Sequence, residues 1–184
     1  MKLKQLEGLL GNLQQFSNPK VELEQYPTGP HIASRMLYMG GNSYGDVTEK
    51  VVADFGCGGC GTLGAAAALM GADHIELLYV YSESLEMATA NAEDLELDID
   101  FVQCDIRNLG WRGSSVDTVI MNPPFGTRRK GADMEFLSTA LKVRILSNLL
   151  HFPGHKSLSS CNKIVRYLDA RLLLEQYIHC TPET

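Results

Sequence analysis

Asn122-Pro123-Pro124-Phe125 is the stretch whose residue types point most directly to chemistry. It closes a short apolar run, Val116 to Met121, that reads as a strand. Two prolines remove two backbone donors and fix the direction of the chain, leaving carbonyls free to accept. Such a corner suits an exocyclic amine on a heteroaromatic ring, a poor nucleophile because its lone pair is delocalised into the ring. If the Asn122 side-chain oxygen and the Pro123 carbonyl accept its two N–H bonds, a pyramidal nitrogen is favoured and its lone pair can face a methyl donor. Phe125 can stack on the ring, a contact worth about 1–3 kcal/mol per base. No general base is needed before attack; positioning and polarisation carry the catalysis. The bland alternative is a proline-rich strand stop with Phe125 in the core.

A second cluster, Asp54-Phe55-Gly56-Cys57-Gly58-Gly59-Cys60-Gly61, follows an earlier apolar run and precedes a helical pattern. Glycines there permit positive φ and close approach of backbone to a ligand. A phosphate loop would end in Gly-Lys-Ser/Thr, which is missing, and Gly-x-Gly-x-x-Gly from Gly56 to Gly61 is unspecific by itself. A tight turn without a ligand competes with it. Cys57-x-x-Cys60 invites a zinc or redox reading, but zinc requires two more ligands and Cys104, Cys161 and Cys180 are scattered singly. No metal is expected, and the five cysteines read as thiols of a reducing compartment.

The elements that must position these clusters alternate. Leu3, Leu6, Leu10, Leu13 and Phe16 recur at helical spacing, so the first sixteen residues read as an amphipathic helix that Ser17-Asn18-Pro19 ends. Pro30 opens a second helix, to about Met39. Val51–Phe55 reads as a strand, Thr62–Met70 as a helix stopped by Gly71, and Ile75–Tyr81 as a buried strand. Ser82 can cap a helix reaching about Leu97, with Glu83 and Glu86 complementing its dipole. Ile99–Cys104 alternates as a strand, and Asp133–Leu150 reads as helix. His151–His155 reads as a loop and Asn162–Tyr177 as an amphipathic helix, with no convincing pair of strands to complete a six- or seven-stranded sheet. Strand–helix repetition at this spacing means an α/β fold with a parallel sheet. Ligands in such sheets sit outside the carboxyl ends of the strands, where both clusters fall.

The chain has 184 residues, enough for one domain with a sizeable core. The start, Met1 to Glu7, lacks the apolar core of a signal peptide, and no apolar run approaches the roughly 20 residues of a membrane span. A cytoplasmic or nuclear location is expected. The net charge of −6 argues against a purely electrostatic nucleic-acid binder. The charge is uneven, however: residues 142–184 hold six Lys or Arg against three Asp or Glu. An acidic body that handles RNA needs a local basic patch or a basic partner.

Three stretches carry a resemblance to a known group: Leu23-Glu24-Gln25-Tyr26-Pro27-Thr28, Val51 to Gly58, and Asp117 to Thr127 through the Asn-Pro-Pro-Phe turn. Over these, and from the first helix to about Leu141, the chain resembles the methyltransferase-like protein 5 family, adenine-N6 methyltransferases of small-subunit ribosomal RNA. The resemblance implies a Rossmann-like class I methyltransferase fold with helices on both faces of a parallel sheet. It implies a methyltransferase domain over 1–141, with an N-terminal helical lid, and a divergent, helical segment over 142–184 whose strands are missing or altered. It implies S-adenosylmethionine as cofactor, with Gln25 and Thr28 closing over it, Gly56, Cys60 and Thr62 along it, and Asp105 and Ile106 at its adenine. Asn122 to Phe125 would form the target-adenine site. A small zinc-binding activator would add a strand beside the edge strand 99–104.

The chain departs from the family pattern in an extra glycine within the turn, in its ending, and at Tyr79, where the family places an acidic residue to grip the ribose. A phenol makes one hydrogen bond where a carboxylate accepts two. These departures favour a second reading, a non-catalytic methyltransferase-like binding module with weakened cofactor affinity.

Overall fold

The computed structural model describes residues 1–15, 19, 24–57, 59–109, 116–124, 129–143, 148–151 and 165–167. Its elements run α1 Leu3–Gly11, α2 Pro30–Tyr44, β1 Val51–Phe55, α3 Thr62–Leu69, β2 His74–Tyr79, α4 Ser82–Asp94 and β3 Asp100–Gln103. After a single turn of 3-10 helix at Ile106–Asn108 come β4 Thr118–Met121, α5 Ala132–Val143, β5 Asn148–His151 and β6 Val165–Tyr167.

Neighbouring residues of the central strands point to opposite faces, and this alternation builds two cores. Val52, Ile75, Leu77 and Ile120 join Met36 and Leu37 of α2 and Ala66 and Ala67 of α3. Ala53, Phe55, Leu78, Val119 and Met121 join Leu137 and Ala140 of α5 on the other face. Helices therefore cover both sides, as an α/β sheet requires. Leu6 and Leu10 of α1, both fully buried, belong to the first core and fasten the N-terminal helix to the domain. Each such side chain contributes about 1.5–3 kcal/mol through burial.

Among the described residues, six strands lie in the order β3-β2-β1-β4-β5-β6. β1 to β5 are parallel, and β6 runs antiparallel to β5. The chain builds outward from β1 to β3, then returns to lay β4 on the other side of β1. The order reverses there, and the crevice at the carboxyl ends of β1 and β4 is the switch point where such sheets bind ligands. Phe55 at the end of β1 pairs with both Leu78 and Met121, which brings the glycine turn, the end of β2 and the Asn-Pro-Pro corner side by side.

Several elements differ from the expectation. α2 runs past Met39 to Tyr44 because Gly40 and Gly41 are not stops. A Cβ on Gly41 would lie 3.0 Å from the Met70 side chain, so the residue thins the helix where it packs. Ser82 is the first residue of α4, and no side chain caps that helix. The helix expected to Leu150 is described over Ala132–Val143, and Asn148–His151 instead pairs along β4 from Thr118 to Met121. Val165–Tyr167 is a strand within the stretch read as helical. A run of four apolar or polar residues has too short a pattern to separate the two states, and pairing with a formed sheet decides. β5 and β6 thus supply strands where none were convincing in the sequence.

Candidate active site

Asp54 is the penultimate residue of the first strand, and its carboxylate Oδ2 accepts the N–H of Gly64 at 3.0 Å in the first turn of α3. The carboxyl group thus serves one of the orphan donors of that helix from outside it. Burial lifts the pKa of Asp54 to about 7, against the opposing pull of the Gly64 N–H. The chain then turns through Gly56 at φ +72°, a conformation that favours glycine. A Cβ at Gly56 would lie 2.7 Å from the Phe136 ring of α5, so the glycine also admits that ring beside the turn. Burial, then the nearby Asp54 charge, pushes the Cys57 thiol above its ordinary range. Cys57 is therefore a protonated thiol, neither a thiolate ligand nor an activated nucleophile.

A cleft of about 220 Å³ opens at the carboxyl ends of the strands. Gly56 from the turn, Tyr79 and Tyr81 from the end of β2, Asp105 and Ile106 from the end of β3, and Pro124 from the end of β4 all line it. Asp105 accepts the backbone N–H of Arg107 at 3.0 Å and its Nε at 2.8 Å, and the Arg107 Nη2 closes the ion pair. Those side-chain hydrogen bonds hold the Asp105 carboxyl below its ordinary range. Tyr79 is half-buried, and its hydroxyl accepts the Gln25 Nε2 at 3.1 Å. Burial raises the Tyr79 phenol above its usual value, so the group is a neutral hydroxyl at physiological pH.

The expected site residues therefore fall into two sets. Gly56, Asp105, Ile106 and Pro124 share the cleft wall. Gln25, Thr28, Cys60, Thr62, Asn122 and Pro123 are not among its lining residues. Gln25 is buried and donates to both Tyr79 and the Ser84 hydroxyl, 3.1 Å each. Thr28 accepts the Asn122 Nδ2 at 3.1 Å. Cys60 is buried behind the turn, where its Sγ meets Gln15 Oε1 at 3.6 Å and its carbonyl accepts Asn91 Nδ2 at 3.0 Å. Thr62 is buried at the start of α3, and Pro123 is buried beside the half-buried Asn122. Phe125 lies outside the described residues, as does Gly58.

Sequence reasoning missed Tyr81, Arg107, Arg129, Glu135 and Phe136, all of which line the cleft. Arg107, two residues after Asp105, could have been flagged as its partner. Phe136 carries no such signal, because an aromatic residue in an amphipathic helix reads as core.

A glycine turn after β1, a sheet that reverses order beside it, and an Asn-Pro-Pro corner one strand over define a Rossmann-like methyltransferase. Comparison with known proteins agrees. The methyltransferase small domain family matches residues 32–144. The rRNA N(6)-adenosine-methyltransferase METTL5 of Danio rerio is 47% identical over 78% of this chain and 70% of its own length. Its counterpart in Drosophila melanogaster is 39% identical over 85% of this chain and 74% of its own. The Pyrococcus horikoshii protein PH1948, described as a candidate RNA methyltransferase, superposes with a TM-score of 0.74 at 34% identity, covering 95% of this chain and 79% of that one. The chain belongs to the methyltransferase-like protein 5 family of enzymes.

Proposed function

We propose that this chain methylates the N6 amine of an adenosine in RNA, in small-subunit ribosomal RNA, with S-adenosylmethionine as the donor. One observation carries the reading. Gly56 of the glycine turn and Pro124 of the Asn-Pro-Pro corner line the same cleft, so a cofactor against one lies beside a base against the other. The names of the zebrafish and fly relatives support the same reaction.

The residues present fit that cofactor. Asp54 Oδ1 and Thr62 Oγ1, both buried at the turn, have no hydrogen-bond partner among the described residues. An unmade bond to a buried polar group costs about 1–3 kcal/mol, and a ligand bearing an ammonium relieves it. Asp105 would accept an adenine amine by exchanging one of the four hydrogen bonds that Arg107 makes to its carboxylate, and Ile106 packs beside it. Cys60 backs the turn, while Gln25 and Thr28 would close over the cofactor. When bound, S-adenosylmethionine supplies an electrophilic methyl group. Asn122 Oδ1 and the Pro123 carbonyl accept the N–H bonds of the target amine, and Phe125 stacks on its ring. On transfer, the amine held by Asn122 and Pro123 would gain the methyl group and lose a proton to solvent.

The family's zinc-binding activator is the partner we assign to β3, with RNA as the other ligand, in the cytoplasm or nucleus. β3 is an edge strand, with Val102 37% exposed and Val80 43% exposed just past the neighbouring strand. An apolar edge is a template for an added strand.

A second reading, a binding module of weakened cofactor affinity, draws on the pairing of Asp105 with Arg107 and on Tyr79 at the cleft wall. Incubation with labelled S-adenosylmethionine and ribosomal RNA, followed by digestion to nucleosides, decides between them. Labelled N6-methyladenosine is the expected product; no product together with no cofactor binding establishes the second reading.

A further inference from the structure

A protein of net charge −6 does not hold RNA through its overall field, so a contact with phosphate must be local. Arg128-Arg129-Lys130 is the only place in the 184 residues where Lys or Arg residues are adjacent, and it begins three residues after Phe125. Arg129 and Lys130 are exposed, and Arg129 lines the cleft together with Pro124 of the Asn-Pro-Pro corner.

Among the described residues two arginines line the cleft, and they are committed to different degrees. Arg107 makes four hydrogen bonds to the Asp105 carboxylate. The side chain of Arg129 hydrogen-bonds, among the described residues, to Glu135 alone, and the two side chains are 52% and 44% exposed. An exposed pair of this kind contributes little, so Arg129 can exchange Glu135 for another anion at small cost. A phosphodiester suits it, because the planar guanidinium fork meets two phosphate oxygens at once.

The position fits an unpaired nucleotide. Chemistry on a base requires that base to leave its stack and enter the site, while its sugar-phosphate chain stays at the mouth. Pro124 is half-buried within the cleft, and the more exposed Arg129 stands at the rim.

We propose that Arg129 binds an RNA phosphate next to the target adenosine, and that Glu135 holds Arg129 until that phosphate displaces it. The arginine places positive charge where the RNA chain must pass an otherwise acidic protein. This inference rests on the methyl-transfer reading above and adds to it a residue outside both the Asn-Pro-Pro-Phe corner and the cofactor contacts.

The test measures binding of a short oligouridine with one central adenosine to the full chain, with S-adenosylhomocysteine present. Arg129→Gln should weaken that binding about five- to tenfold at low salt and make the slope of log K against log salt shallower by about 0.7, the share of one single-strand phosphate. Affinity for S-adenosylhomocysteine should stay within about twofold. Glu135→Gln should tighten RNA binding a few-fold. Asp133→Asn removes the same charge from the same turn of α5 at a residue that does not line the cleft, and should change binding by less than about twofold.

Two further RNAs locate the phosphate. Each carries a neutral methylphosphonate at the linkage 5′ or 3′ to the adenosine, and is compared with an RNA of the same sugars bearing an ordinary phosphate there. One of the two substitutions should weaken binding to the wild type about as much as Arg129→Gln does, and should weaken Arg129→Gln almost no further. Equal losses in both proteins overturn the inference and leave the methyltransferase reading intact. A loss of S-adenosylhomocysteine affinity as large as the loss for RNA makes Arg129 a cofactor contact and also overturns it. Equal gains from Glu135→Gln and Asp133→Asn overturn the role of Glu135. A wild-type chain that transfers no methyl group to RNA removes the methyltransferase reading and the inference together.

Discussion

The side-chain amide of Gln25 donates to the hydroxyl of Tyr79 across 3.1 Å, tying the segment before α2 to the end of β2 at the wall of the cleft. The same nitrogen reaches Ser84 at 3.1 Å, so Tyr79 sits in a small buried polar network. Its phenol also shares a hydrogen bond with Ser84, so a ligand must compete with that hydroxyl for it. Tyr79→Asp should bind S-adenosylhomocysteine about tenfold more tightly, because charge-assisted hydrogen bonds are roughly twice as strong as neutral ones. Calorimetry reads this directly. Unchanged or weaker binding would show that Tyr79 is not facing the ribose.

Arg107 competes for the same cleft. It engages Asp105 through its backbone N–H and its guanidinium. In Arg107→Ala the Asp105 carboxyl should titrate closer to its ordinary value, and adenosine-containing ligands should bind a few-fold more tightly. A carbon-detected NMR titration of Asp105 beside a binding isotherm checks both. Weaker binding in the variant would mean that Arg107 itself contacts the ligand.

Asp54 gives the domain a pH dependence. Its pKa is 3.8 in a free chain and about 7 when folded, so its protonated form favours the fold. That contribution is fully present below about pH 4, declines as pH rises and is gone above about pH 7, with an upper bound of about 4 kcal/mol over the window. Asp54→Asn cannot ionise and keeps an acceptor for Gly64. The Tm of Asp54→Asn minus that of the wild type should therefore increase from pH 4 to 7 and stay level above. A constant difference across that range would contradict the assignment.

The exposed edge should control partner binding. Val102→Lys places a charge on an edge strand, a common way to block strand addition. It should abolish co-purification with the zinc-binding activator without lowering Tm by more than a few degrees. The wild-type chain should be poorly soluble alone and rescued by co-expression. A well-behaved wild-type monomer, or a Val102→Lys variant that still pairs, argues against this interface.

The strands nearest the site were legible because Val51–Phe55 and Thr118–Met121 are apolar runs, each followed by residues that end a strand. The glycine turn and the Asn-Pro-Pro corner were legible for the same reason: their residue types restrict the backbone before any contact forms. α2 was read short because a glycine pair looks alike whether it ends a helix or lets Met70 approach it. β5 and β6 were not legible, since four and three residues acquire strand character only by pairing with neighbours distant in sequence. The Thr28–Asn122 hydrogen bond spans 94 residues and has no local signature at all. Phe136 was hidden because only the folded chain shows an aromatic ring standing where a Cβ on Gly56 would be.

The central claim concerns the corner after β4, and Asn122→Ala isolates it. The measurement pairs methyl transfer to ribosomal RNA with S-adenosylmethionine affinity on the same preparation. Loss of transfer by at least about a hundredfold, with cofactor affinity within a few-fold of wild type, is the predicted result. Near-normal turnover in Asn122→Ala would mean that the asparagine does not receive the target amine.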